Sequence, residues 1–241
     1  MLAQSLQRIE SEVPSEALVL DVGGWAKPLA RADWVVDLMP WATRGLYGRD
    51  GDGPERFGEH TWVQIDICGH EPWPFADDQF DFAVCSHTLE DVRDPVRVCA
   101  ELARVARAGY VELPSRLEEQ SPMDSQPGVG WMHHRWLADV DQTEQRIEFV
   151  FKHGLVYLAP EAQFPPGFHG TLTDVERVQS LWWDGSFAAS EWVMMSSEEL
   201  DPYLTEFVDQ ELRRRGLARP KRARRLAQRM QRAVASLRQP S

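Results

Sequence analysis

Residues 80–85, FDFAVC, form a short apolar run interrupted only by Asp81, and a polar cluster of Ser86, His87, Glu90 and Asp91 follows at once. Continuous rather than alternating hydrophobicity suits a strand covered on both faces, and such strands occur mostly in the parallel sheets of α/β proteins. In open α/β sheets the ligand crevice lies at the carboxyl ends of the strands. The run therefore predicts a central strand that delivers polar groups to a site beginning at Ser86.

The preceding chain supplies three more short β-rich runs, each ending in an acid or a glycine turn. Residues 17–22 end in Asp21-Val22 before Gly23-Gly24, residues 34–36 are followed by Asp37, and residues 62–65 by Asp66. Gly23 and Gly24 put bare backbone where a ligand can approach closely. Only ten residues separate Gly24 from the second run, and Pro28 is among them, so a full crossover of a dozen or more residues does not fit. An abbreviated crossover is expected. Residues 39–59 read as a long loop with one helical turn, residues 2–12 as an N-terminal helix, and residues 95–107 as the best helix of the first half, with Pro95 at its start and Gly109 as its stop. Residues 110–113 make a fifth strand.

Beyond that strand, residues 115–130 are polar and read as a mobile cover. Residues 131–140, 146–151 and 155–158 are expected to form an antiparallel set, with a hairpin at Asp184-Gly185 inside residues 181–195. Ser196 is placed to cap a helix that runs to Arg215. The expected organisation is one domain over residues 1–195, with an acceptor-side insertion at about 115–195, followed by C-terminal helices and a basic tail over 196–241.

The 241 residues carry a net charge of −12, yet no acid follows Glu211 while eleven Lys and Arg lie between Arg213 and Arg238. The rest of the chain is strongly acidic. An acidic body repels polyphosphate, so nucleic acid is not expected as the main substrate. The basic tail can dock on the acidic body or a second subunit, lie on an anionic membrane surface, or touch nucleic acid. No apolar run reaches the ~20 residues of a spanning helix, the N-terminal residues do not read as a secretory signal, and Cys68, Cys85 and Cys99 stand singly. A cytoplasmic protein with reduced thiols is expected.

Taken in order, LDVGG, Asp37, Asp66 and PFADDQFDFAVCSHTLEDVRDP resemble a class I S-adenosylmethionine-dependent methyltransferase of the type 11 group, over residues 17–115. The resemblance implies a Rossmann-like α/β fold, here with an abbreviated first crossover, an inserted antiparallel element and C-terminal helices. It implies S-adenosylmethionine as cofactor, with Gly23 and Gly24 beside its methionyl part and Asp21 fixing the turn or the cofactor ammonium. Asp37 would take both ribose hydroxyls, Asp66 and the Ile67 amide the adenine edge, and Ser86 the far end of the fourth strand. Within the same segment Asp77 and Asp78 shape the loop, and Asp81 anchors the strand's start. The usual GxGxG loop is replaced by GGWAKP, which leaves open a non-catalytic binding or scaffold protein on the same fold.

His87 stands where a general base is useful, or it caps the strand. His133 and His134, adjacent on the expected strand, would point to opposite faces, so one of them could serve the acceptor. Glu112 either contacts the acceptor or partners Arg116 or Arg135. Trp131, Trp136, Trp182, Trp183 and Trp192 could stack on a sugar or pack in the core. The acceptor is expected to be a small molecule or glycan-like, methylated at oxygen or nitrogen, and no metal is expected.

Overall fold

The computed structural model describes residues 1–123 and 127–217. Its centre is a six-stranded sheet in the order β3–β2–β1–β4–β5–β8. The strands are β1 (Val19–Val22), β2 (Trp34–Asp37), β3 (Trp62–Gln64), β4 (Phe82–Ser86) and β5 (Ala108–Pro114), all parallel, with β8 (Val178–Asp184) antiparallel along β5. A second sheet holds β6 (Trp136–Asp141), β7 (Arg146–Phe151) and β9 (Ala188–Glu191). The helices are α1 (Ala3–Glu12), α2 (Pro95–Val105), α6 (Ser197–Arg214) and the single turns α3 (Arg116–Glu119), α4 (Leu155–Leu158) and α5 (Asp174–Arg177).

Alternation along the parallel strands divides the core in two. Leu20, Val22, Val36, Ala83, Cys85, Val111 and Leu113 face α2 and the small sheet, where Val98, Leu102, Ile147 and Phe149 meet them. Val19, Val35, Phe82, Val84 and Tyr110 face Ile9 of α1 and the loop residues Leu29 and Phe57. Both faces are covered, as the unbroken apolar run at β4 requires. Asp81 ties the start of that strand to its neighbours, with Oδ2 accepting the Leu18 N–H at 2.9 Å and Oδ1 facing Arg107 Nη1 at 2.9 Å.

The crossover from β1 to β2 is indeed abbreviated: residues 23–33 contain no helix. α2 begins where expected, because Pro95 fits its first turn and Asp94 accepts the Arg97 N–H at 2.9 Å. Its end differs. The helix stops at Val105 and Gly109 lies inside β5, where a Cβ would fall 2.4 Å from the Ala83 carbonyl and 2.7 Å from the Trp183 ring. Close strand packing, not a helix stop, requires that glycine.

The second half departs further. Residues 155–158 form a helical turn instead of a strand, and the expected hairpin does not close, since β8 joins the large sheet and β9 pairs with β7 in the small one. Residues 115–121 are not a cover: Arg116, Glu118, Glu119, Gln120 and Ser121 are buried. Gln120 Nε2 donates to the carbonyls of Ala162 and Leu204, and Arg116 Nη2 to that of Tyr203, so distant segments satisfy this polar stretch. Ser196 occupies the N-cap of α6 without a side-chain capping bond. The basic tail expected after Pro220 lies outside the described residues. Among the described residues no helix is long and apolar enough to cross a membrane.

Candidate cofactor and acceptor site

The strand order reverses between β1 and β4, and the turns leaving these two strands pack on each other. Gly23 has φ +75°, and a Cβ on it would lie 2.2 Å from Thr88 Oγ1; a Cβ on Gly24 would lie 2.2 Å from Asp21 Oδ2. Only glycine allows the turn to sit so close to both. Asp21 Oδ2 accepts the Leu29 N–H at 2.8 Å, which holds the compressed crossover against the end of β1. Burial pushes the Asp21 carboxyl up to about 7, against the pull of the Leu29 amide and with help from the nearby Asp37 and Asp50 charges.

Asp37 turns its carboxylate onto the same loop. Oδ2 accepts the Trp25 N–H at 3.0 Å and Oδ1 the Met39 N–H at 2.8 Å, and burial raises its pKa against these amides. Asp50, which nothing in the local sequence marks, completes an acidic corner and faces Lys27 Nζ at 2.6 Å and the Met1 ammonium at 3.2 Å. At the end of β3, Asp66 pairs with Arg93 Nη1 at 2.7 Å and accepts the Cys68 N–H at 2.9 Å; its hydrogen bond to Arg93 holds it below the usual carboxylate range. Ile67 is buried, its carbonyl accepting the Trp73 indole N–H at 3.0 Å.

At the end of β4, Ser86 Oγ donates to Glu112 Oε1 at 3.2 Å, and His87 adopts φ +53°. That turn aims Nε2 at Glu112 Oε1, 3.2 Å away, and Nδ1 at Glu90 Oε1, 3.4 Å away. Burial works to lower the His87 pKa, but the bonds to Glu112 and Glu90 outweigh it and raise the value to about 9. At neutral pH His87 is therefore a cation and a poor proton acceptor. Glu112 is fully buried and also accepts the Tyr110 hydroxyl and, at 3.0 and 3.2 Å, the Leu2 N–H. Burial alone would raise its pKa; His87, Tyr110 and Leu2 together bring it down to about 2. The expected partners Arg116 and Arg135 are not the ones it meets: Arg116 faces Asp139 at 3.5 Å, and His87 takes the place beside Glu112.

His133 and His134 do not lie on a strand, because β6 begins only at Trp136. They sit in a turn, His133 exposed and His134 buried. His134 Nδ1 lies 2.8 Å from Glu119 Oε1, and the buried Lys152 ammonium bonds the other oxygen of Glu119 and the Trp131 carbonyl. With a carboxylate oxygen as its partner, Nδ1 of His134 is placed to donate, which leaves Nε2 as the free ring nitrogen. The Arg135 N–H donates to the Glu90 carbonyl at 2.7 Å and the Trp136 indole to the Val92 carbonyl at 2.7 Å, which fastens this turn to the segment after β4. Of the five tryptophans, Trp131 stands beside the histidines, with ring centroids 6.0 and 6.1 Å away. Trp136 and Trp183 are core residues, Trp182 packs on Tyr110 and Trp192 on Tyr203. A hollow of about 260 Å³ is lined by Ser115, Arg116, Asp139, Phe207 and Glu211.

These features define a Rossmann-like α/β fold, with an open, mostly parallel sheet and polar groups gathered at the carboxyl ends of its strands. Residues 48–111 match the family model described as a methyltransferase domain. The residues at the carboxyl edge suit the cofactor that the sequence resemblance implies. Two glycines have no room for a Cβ at the β1 turn, and the Asp37 carboxylate, which meets backbone amides, retains capacity to accept further hydrogen bonds. Among solved structures, the chain is similar to an S-adenosylmethionine-dependent methyltransferase from Mesorhizobium loti at 18% identity, covering 62% of this chain and 63% of that one with a TM-score of 0.35. It is similar also to a possible histamine N-methyltransferase from Thermotoga maritima, at 18% identity, with coverages of 48% and 51% and a TM-score of 0.32. A phosphoethanolamine N-methyltransferase of Haemonchus contortus in complex with S-adenosylhomocysteine matches at 16% identity, with coverages of 46% and 28% and a TM-score of 0.35. The chain spans about half the length of several of the solved structures it matches. No curated protein matches it.

Proposed function

We propose that this chain transfers a methyl group from S-adenosylmethionine to a hydroxyl or amine of a small-molecule or glycan-like acceptor. The observation that carries the reading is the Gly23-Gly24 turn opposite Asp37 at the switch point between β1 and β4. Bound there, the cofactor supplies a methyl group already activated on a sulfonium. Asp37 would give its remaining lone pairs to the ribose hydroxyls, Asp66 and Ile67 would hold the adenine edge, and the acidic corner of Asp21 and Asp50 would face the positively charged methionyl end.

The protein's task is then to align the acceptor and remove its proton. His134, with Nδ1 held by Glu119, presents Nε2 as a proton acceptor, while His133 stands at the solvent edge. His87, held as a cation, is suited to donating a hydrogen bond to the acceptor. Trp131 offers the one tryptophan face beside these groups for a flat or sugar-like acceptor.

A second reading, a binding protein without transfer, is favoured by one feature: Asp37 and Asp66 already meet protein donors. Incubation with S-adenosylmethionine and a panel of sugars and amines, with formation of S-adenosylhomocysteine as readout, separates the two. Turnover that falls at least tenfold in His134→Gln while cofactor binding persists supports transfer. Cofactor binding without turnover on any acceptor supports the second reading.

A further inference from the structure

The turn that carries the histidine pair and the segment after β4 bring together Asp91, His133 and His134, with one donor atom from each lying within 4.8 Å of the others. His133 Nε2 is 3.9 Å from Asp91 Oδ1. We propose that these three side chains bind a divalent transition-metal ion.

Two imidazoles and one carboxylate suit such an ion better than magnesium or calcium, which prefer all-oxygen shells. Bonds of about 2.0–2.2 Å to nitrogen and oxygen place ligand atoms roughly 3.3 Å apart in a tetrahedral shell, so the cluster must contract by an ångström or so. Its construction permits that. Asp91 and His133 are exposed and free to swing, whereas His134 is buried and fixed. The donors also rest on a braced frame, because the Arg135 N–H to Glu90 carbonyl bond joins the two segments and the Asp91 N–H donates to the Thr88 carbonyl at 3.1 Å.

The second and independent observation is the support behind His134. Ligating histidines generally donate their other ring N–H to a carboxylate or carbonyl, which sets the tautomer and aims the free nitrogen. Glu119 does this at 2.8 Å from Nδ1, and leaves Nε2 to coordinate. Glu119 is in turn held by Lys152, both side chains being almost wholly buried. A buried ion pair of this kind is weak evidence for stability; here it fixes the carboxylate that His134 meets.

Three protein ligands leave coordination positions open. Where the methyl-transfer reading holds, an acceptor oxygen or nitrogen could occupy one, and its proton would be made more acidic by the ion; His134 then serves as a ligand and not as a base. The binding itself stands apart from that reading, since it is measured without cofactor.

Full-length protein free of any histidine tag and stripped with chelator is titrated with cobalt(II), reading the visible ligand-field bands, and with zinc in competition with a chromogenic chelator. The expected result is one equivalent bound per chain, abolished in His133→Ala and weakened about 10–100-fold in Glu119→Gln. His133 is exposed, so its replacement leaves the fold intact. Absence of cobalt bands at millimolar metal, or bands of equal strength in His133→Ala, would overturn the proposal. Equal affinity in Glu119→Gln would overturn the positioning role given to Glu119.

Discussion

His87 Nε2 lies 3.2 Å from Oε1 of Glu112, a carboxylate that the end of β5 buries completely. The pair joins the end of β4 to β5, and the same carboxylate reaches α1 through the Leu2 N–H. Its consequence for pH follows from the direction of each shift. His87 is raised from its ordinary 6.5 to about 9, so its contribution to stability is fully present below 6.5 and is lost as pH rises through about 9. Glu112 is lowered from 4.5 to about 2, so its contribution is present above 4.5 and is lost as pH falls through about 2. The urea midpoint of the native chain is expected to fall between pH 7 and 10, and that slope should flatten in His87→Gln. The imidazole is partly exposed, so solvent screening keeps the effect small.

Lys152 and Glu119 make an ion pair with both side chains almost wholly buried. Lys152→Met leaves the Glu119 charge with His134 as its remaining side-chain partner. A loss of ~3–5 kcal/mol in chemical denaturation is expected. The double variant Lys152→Met, Glu119→Gln should lose less than the two single variants added together, because no charge is then stranded.

Gly23→Ala places a Cβ 2.2 Å from Thr88 Oγ1 at a residue with φ +75°. The backbone strain alone is worth about 1–3 kcal/mol. Adding Thr88→Gly removes the clash but not the strain, so thermal denaturation of the double variant should recover part of the loss. Full recovery would mean that the positive φ carries no cost here.

The large sheet and α2 are readable in the sequence because their signals are local: short apolar runs at Leu20, Val36 and Val84, a glycine turn after β1, an acid closing β2, a polar cluster after β4, and Pro95 after the capping Asp94. The site is readable only where it rides on those strand ends. That Asp37 would bend onto the Trp25 and Met39 amides, or that Asp50 would join the same corner, depends on how the loop of residues 38–58 folds back, and no periodicity reports it. Polar residues 115–121 look like a surface loop until their partners at Ala162, Leu204 and Tyr203 are known. The histidine pair misleads in the same way. Trp131 and Met132 continue the apolar character of β6, but the Lys152 bond to the Trp131 carbonyl holds that stretch in a turn. The Asp184-Gly185 turn is real, yet the strands it joins take partners in different sheets because Trp183 packs over Gly109 while Ala188 and Ala189 lie beside β7.

Asp21 gives a second pH signature. Its carboxyl is raised from 3.8 to about 7, so the folded chain holds a proton there that the unfolded chain releases, and this disfavours the fold progressively as pH rises from 4 to 7. Asp21→Asn keeps an acceptor for the Leu29 N–H and removes the titration. The variant should be more stable than the native chain at pH 8 and should lose that advantage at pH 4, as read from thermal midpoints.

The central claim is that the Gly23-Gly24 turn and Asp37 form the cofactor edge. Isothermal titration calorimetry with S-adenosylhomocysteine on the native chain and on Asp37→Ala tests it most directly. Binding by the native chain is expected, with a loss of at least about tenfold in affinity, ~1.4 kcal/mol, in Asp37→Ala with its circular dichroism unchanged. No binding by the native chain at high micromolar ligand, or equal affinity in the variant, would contradict it.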